Sequence, residues 1–252
     1  MSLNGKVALV TGAGRGIGRA LATALAASGA RVACVARSHD ELARTSALVA
    51  ERGEKALAVA ADLSDPRMVP KVVRQVTVQL GSVDVLINNA ATVEPLGRSA
   101  DMTPEAWTAA FRLNVITPAT LSAMLLPHMS AARWGRIVNV SSSIVDHPEA
   151  MIGGNAYAAT KAALEAHTLN LAAELSGSGV TVNVYRPGSV DTAMQGLIRE
   201  KGEERLDAAT YTRFVRNHQE GKLISSADSA QSLVDRLTSH ATGQVWDVGD
   251  PR

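Results

Sequence analysis

The chain has 252 residues, 46% of them hydrophobic, and its 25 Lys and Arg nearly balance 24 Asp and Glu. That length and apolar content supply a sizeable core, while the scattered, balanced charge leaves no basic face for nucleic acid or an anionic membrane. A single cysteine, Cys34, excludes an internal disulfide or a cysteine-based metal site and reads as a small buried side chain.

Before Thr11 there is one Lys and only a short apolar run, too short for a signal peptide, and no uninterrupted apolar stretch of 18 residues follows. A soluble, cytoplasmic protein is expected. Strand-sized apolar runs recur at 6–10 (KVALV), 31–36 (RVACVA), 56–60 (ALAVA), 84–88 (DVLIN), 136–140 (RIVNV), 181–185 (TVNVY) and 244–248 (QVWDV). Between them, helical spacing marks 17–28, 40–51, 66–80, 104–129 and 156–175. Apolar strands joined by crossover helices are what a parallel sheet covered on both faces requires. The chain thus reads as one α/β domain over 1–252, a doubly wound parallel sheet of about seven strands with helices on both faces. Two segments break the alternation, a polar loop at 143–155 and a charged stretch at 193–222. Both follow strand ends, where ligands bind in such sheets, and are candidate substrate-binding segments.

Directly after the first strand stands "TGAGRGIG", residues 11–18. Its glycines, Gly12, Gly16 and Gly18, do not match the general G-x-G-x-x-G dinucleotide fingerprint, since Ile17 falls on the last glycine position. The physics is the same: a strand, a turn that lets backbone approach a pyrophosphate, and a helix N-terminus that favours anions. A purely structural glycine turn is the competing reading. Further along, Tyr157 and Lys161 are spaced to share one face of a helix. An ammonium beside a phenol favours the phenolate and lowers its pKa toward a value useful for proton transfer.

Taken together, "TGAGRGIG", "DLS" at 62–64, "NNA" at 88–90, Asn114, "IVNVSS" at 137–142, "YAATK" at 157–161 and "PGSVDT" at 187–192 resemble the short-chain dehydrogenase/reductase family, in that family's order and over essentially the whole chain. Two places depart from it: "NNAA" stands for NNAG, and "WDVGD" replaces the usual DGG ending. The resemblance implies a Rossmann-like fold and a catalytic set of Asn114, Ser142, Tyr157 and Lys161. In that set Tyr157 exchanges a proton with the reacting oxygen, Lys161 holds the nicotinamide ribose and tunes Tyr157, Ser142 hydrogen-bonds the oxygen, and Asn114 anchors a relay water. It also implies cofactor contacts from Gly12, Arg15, Gly16, Ile17, Gly18, Arg37, Asp62, Leu63, Asn89, Ala90, Tyr157, Lys161, Pro187, Gly188, Val190 and Thr192. For Asp62 a helix cap is an alternative role, given Ser64, Asp65 and Pro66; for Asn114, a polar break in a long helix. Counting thirteen residues back from Tyr157, the family's usual spacing, lands on Ile144, whereas the strand end selects Ser142 and places two extra residues in the following loop.

An NAD site places a carboxylate at the end of the second strand. Ala36 occupies that position, Arg37 follows, and Arg15 sits in the glycine turn. Two guanidiniums suit a 2′-phosphate, so NADP(H) is the expected cofactor. His147 and His167 lack companions at ligand spacing, so no metal is expected. The expected activity is interconversion of a small-molecule carbonyl and a secondary alcohol, with 3-oxoacyl thioesters the most ordinary substrates by resemblance. An NAD-linked alcohol or steroid dehydrogenase and a non-catalytic nucleotide sensor are the alternatives. The resemblance further implies a homotetramer or homodimer formed through the long helices.

Overall fold

The computed structural model describes residues 3–53 and 56–250. Its apolar runs form β1 (Val7–Thr11), β2 (Arg31–Ala36), β3 (Ala56–Ala60), β4 (Val85–Asn88), β5 (Gly135–Val140), β6 (Val180–Arg186) and β7 (Val245–Asp247). All pair in parallel, in the order β3-β2-β1-β4-β5-β6-β7. The connections carry α1 (Gly16–Ala27), α2 (His39–Ala50), α3 (Met68–Leu80), α4 (Pro104–Phe111), α5 (Thr117–Ala131), α6 (Asn155–Glu174), α7 (Ala193–Lys201), α8 (Ala208–Gln219) and α9 (Ser226–Val234).

Alternation along each strand divides the core in two. Ala8, Val10, Val32, Cys34, Val85, Ile87 and Val138 pack with Leu21 and Leu25 of α1 and Leu233 of α9. Val7, Leu9, Ala33, Val35, Leu86 and Ile137 point the other way, onto Val72 and Val76 of α3 and Leu121 and Leu125 of α5. Burying each such leucine contributes about 1.5–3 kcal/mol. Strand order reverses between β1 and β4, which opens a crevice at their carboxyl ends.

The expected helix over 104–129 is broken: α4 passes into a π turn, Arg112–Ile116, before α5 begins. The whole helical run, Pro104–Ala131, is 28 residues, with a window of mean hydropathy 1.3, long and apolar enough to cross a membrane, although 39% of that window is buried inside the protein. The stretch at 193–222 holds the helix pair α7 and α8, and α9 follows where no helix was expected. The atypical C-terminus forms a short edge strand, β7, and Arg236 beneath it donates to the Asp250 carbonyl at 2.7 Å. Tyr185 ties β6 to α9 by donating to the Ser229 carbonyl at 2.6 Å.

Candidate active site

A cleft of about 1220 Å³ runs along the carboxyl ends of the strands. Its first wall is the glycine turn, where Gly12 and Gly16 have φ of +67° and +52°. A Cβ on Gly18 would lie 2.1 Å from the Gly12 carbonyl oxygen, and one on Gly12 would lie 2.8 Å from Asn89 Nδ2. Only glycine lets α1 come this close to β1. Asn89 braces the turn from the end of β4, its side-chain amide donating to the Thr11 carbonyl at 3.0 Å while its backbone N–H donates to Thr11 Oγ1, also at 3.0 Å. No acidic side chain occupies the first turn of α1, and no side chain caps it, so its N–H groups face the cleft as an anion site.

At the far end of this wall, Arg15 and Arg37 both line the cleft, and each has a carboxylate neighbour. Arg15 pairs with Glu41 at 3.3 Å. Asp62 accepts from the Ser64 amide at 3.0 Å and the Ser64 hydroxyl at 2.8 Å. That amide bond, the hydroxyl bond and the charge of Arg37 together hold the Asp62 carboxyl below the ordinary value. Asp62 therefore shapes a turn and faces the cleft at once. Glu41 was not singled out in the sequence: Ser38 caps α2 by accepting from the Glu41 N–H at 3.2 Å, so Ser-x-x-Glu marks the helix start, but the Glu41 carboxylate turns to Arg15 instead of back to the cap. Ala36, where a carboxylate would otherwise stand, also lines the cleft.

The centre of the cleft is built by β5 and α6. Ser141 is buried, Ser143 is exposed, and Ser142 lies between them with extended backbone, its hydroxyl accepting from the Ile144 N–H at 3.4 Å and close enough to the Tyr157 phenol to act on its proton affinity. Lys161, one turn along α6 from Tyr157, donates to the Val140 carbonyl at 2.6 Å, and its Nζ is 5.7 Å from the Tyr157 ring centroid. Burial pushes the Lys161 ammonium down to about 8, with Glu165 opposing. The phenol departs from the expected lowering: burial raises Tyr157, and the Ser142 hydrogen bond acts against that rise. Asn114 lies outside the cleft lining. Its amide donates to the Thr92 carbonyl at 2.8 Å and Thr160 Oγ1 at 3.0 Å, and its oxygen accepts from the Thr92 N–H at 2.9 Å. Both amide donors and one acceptor site of Asn114 are thus engaged with protein, and the side chain sits within the π turn Arg112–Ile116.

Leu63, Ala90, Pro187, Gly188, Val190 and Thr192, expected as cofactor contacts, line the cleft with Ile17. The remaining half is mostly apolar, with Ile144 and Met151 from the loop at 143–155, Met194 and Leu197 from α7, and Phe214 from α8. Arg213 adds a cation there and donates to the Ala150 carbonyl. His147 lines the cleft, whereas Ile152 of the same loop lies outside it and is 59% exposed. Among the described residues no cluster of His, Cys, Asp or Glu could hold a metal.

A parallel doubly wound sheet with a glycine turn, a half-buried Tyr157 one helical turn from a buried Lys161, and a serine at the end of β5 defines a pyridine-nucleotide oxidoreductase. The profile of the short chain dehydrogenases matches residues 6–203, and the chain belongs to that family. It is 38% identical over 194 residues to a short chain dehydrogenase of Pseudocercospora fijiensis, covering 76% of this chain and 62% of the fungal protein's length. It is 35% identical over 201 residues to the 3-oxoacyl-[acyl-carrier-protein] reductase of Vibrio cholerae, covering 80% of each. L-sorbose reductase of Gluconobacter frateurii, solved with NADPH and L-sorbose, superposes with a TM-score of 0.86 at 27% identity, covering 98% of this chain and 96% of the reductase.

Proposed function

We propose that the protein is an NADP(H)-dependent reductase of a small-molecule ketone, working reversibly as a secondary-alcohol dehydrogenase. The observation that carries the reading is the convergence of Ser142, Tyr157 and Lys161 on the cleft whose other end presents Arg15 and Arg37. The glycine turn fits a pyrophosphate because a Cβ at Gly12 or Gly18 would fill the space that brings backbone N–H groups forward. Arg15 and Arg37 fit a 2′-phosphate. The cofactor, when bound, supplies the hydride.

The chain's own residues handle the oxygen and its proton. Ser142 donates a hydrogen bond to the carbonyl oxygen, stabilising the charge that builds there. Tyr157 delivers its phenolic proton to that oxygen, and Lys161 stabilises the phenolate left behind. Ile144, Met151, Met194, Leu197 and Phe214 exclude water and accept an apolar substrate body. The decisive experiment follows the loss of NADPH absorbance over a panel of ketones, sugar ketoses, steroids and 3-oxoacyl thioesters, with Tyr157→Phe as control. Oxidation by the unmodified chain but not by the variant supports the reading; no oxidation with any substrate favours the nucleotide sensor.

The cytoplasm is the compartment that fits this reading. A homodimer or homotetramer formed through α5 and α6 is supported by Met124 and Leu169, each 40% exposed on those helices. Sedimentation of Met124→Glu against the unmodified chain tests the assembly.

A further inference from the structure

The end of β6 carries a buried cation that none of the roles above uses. Arg186 exposes 8% of its side chain and immediately precedes Pro187 and Gly188, which line the cleft. Its Nε and Nη2 donate to the two oxygens of Glu165, each at 2.9 Å. Its Nη2 also donates to Asp146 Oδ1 at 2.9 Å, and Nη1 donates to Asp146 Oδ2. Asp247 of β7 lies 3.9 Å away. Glu165 stands one helical turn beyond Lys161 on α6, and Asp146 closes the short turn that Ser142 opens. The guanidinium therefore ties together the helix that carries Tyr157 and Lys161, the loop that follows Ser142, and the cofactor-facing end of β6. Asp146 and Asp247 are about half exposed, but Arg186 and Glu165 are both buried, and apolar side chains of similar volume would pack there without the desolvation cost of that pair, so stability alone does not account for it.

We propose that Arg186 is a positioning residue for proton transfer: its double fork fixes the Lys161 turn and the Ser142 loop in one geometry, and its charge offsets Glu165 beneath Lys161. The inference rests on Tyr157 and Lys161 being the proton-transfer pair. The charged and titratable groups around that pair are Glu165 on their own helix, Asp146 and His147 on the loop, Arg186 on β6 and Asp247 on β7, with Glu94 and Arg213 elsewhere in the cleft wall. Removing the cation disfavours the Tyr157 phenolate; removing Glu165 favours it; removing both leaves the net charge of the cluster unchanged.

The test follows the Tyr157 ring-carbon resonance by NMR as a function of pH, in the full chain with and without NADP⁺, with Tyr157→Phe identifying the signal. Arg186→Met should move the transition up by roughly one pH unit, Glu165→Gln should move it down by a similar amount, and the double variant should return it near the parental value. Arg186→Lys keeps the charge and loses the forks. It should leave the transition in place while raising amide hydrogen exchange through 143–155. Glu165→Gln titrating with the parent, shifts of one sign in both single variants, or unchanged exchange in Arg186→Lys would overturn the proposal. If Arg186→Met does not fold, Glu165→Gln and Arg186→Lys decide alone. No substrate enters these measurements, so failure to reduce any ketone speaks against the proposed activity and leaves the Arg186 result readable.

Discussion

Arg15 in the glycine turn and Glu41 on α2, both lining the cleft, form an ion pair, 3.3 Å from Nη1 to Oε1, at the end proposed to take the 2′-phosphate. The cation is already shared with a carboxylate, and a phosphate must compete for it. Glu41→Gln should therefore tighten NADPH binding and leave NADH almost unchanged. Because the Arg15 side chain is 59% exposed, solvent screens the pair, and the gain should be only about two- to fivefold. Calorimetry with both nucleotides checks this; an equal change for the two would remove Glu41 from cofactor selection.

The complementary change acts at the end of β2. Ala36→Asp with Arg37→Ala installs a carboxylate and removes a guanidinium, so the preference for NADPH should narrow or reverse. Equal affinity of the unmodified chain for both nucleotides would defeat the charge argument at its root.

Of the three adjacent serines, Ser142 alone acts on the Tyr157 phenol, holding its pKa down against burial, while Ser143 is exposed. Ser142→Ala should lower kcat on the order of a hundredfold, as loss of one oxyanion donor does, and Ser143→Ala should change it little. Steady-state kinetics of the two variants would expose a mistaken assignment by reversing that ranking.

Lys161 gives a pH dependence of stability. Its folded pKa is depressed to about 8 from an ordinary value of 10.5, so between these limits the unfolded chain binds more protons than the folded one. Stability contributed through this group rises with pH across that window, and below it the folded protein bears the full cost of a buried ammonium. Lys161→Met should raise the unfolding free energy near neutral pH by about 1–2 kcal/mol once the lost bond to Val140 is allowed for, and the melting temperature with it, while abolishing turnover. Thermal melts at neutral and alkaline pH should show the advantage shrinking as pH rises.

The helix pair α7–α8 is latched to the rest of the protein by Lys201, which pairs with Glu94 at 2.8 Å, and by Arg213 on the Ala150 carbonyl. Limited trypsin digestion should cut first between the two helices, after Lys201 or Arg205. Glu94→Gln, which opens the latch while keeping both cleavage sites and leaving the Tyr–Lys pair untouched, should speed the cut, and NADPH should slow it. Identical cleavage with and without nucleotide would mark the pair as a fixed wall.

The strands were legible because period-2 burial on two faces leaves runs such as VALV and RVACVA with almost no polar residue, and each observed strand lies within one residue of its expected bounds. The helices over 193–222 were less legible: α8 mixes Tyr211, Phe214 and Val215 with Arg213, Arg216 and His218, and it packs over a cleft rather than onto the sheet. Asn114 marked a break in its helix, but the kind of break depends on backbone geometry that residue type does not encode. Glu41, Glu165 and Arg186 were missed for a common reason. Each is an ordinary charged residue in its own neighbourhood, and only the packing of separate elements gives it a partner.

Thr192 caps α7 by accepting from the Gln195 N–H, and its side chain lies 3.2 Å from where a Cβ on Gly16 would stand. The pyrophosphate turn and the first residue of the roof over the substrate therefore meet at one threonine. Occupancy of the turn sets the starting point of that roof before anything beneath it can be enclosed. Under the proposed function the expected kinetic counterpart is a compulsory sequence of arrivals, nucleotide first and carbonyl second, which product-inhibition patterns would check.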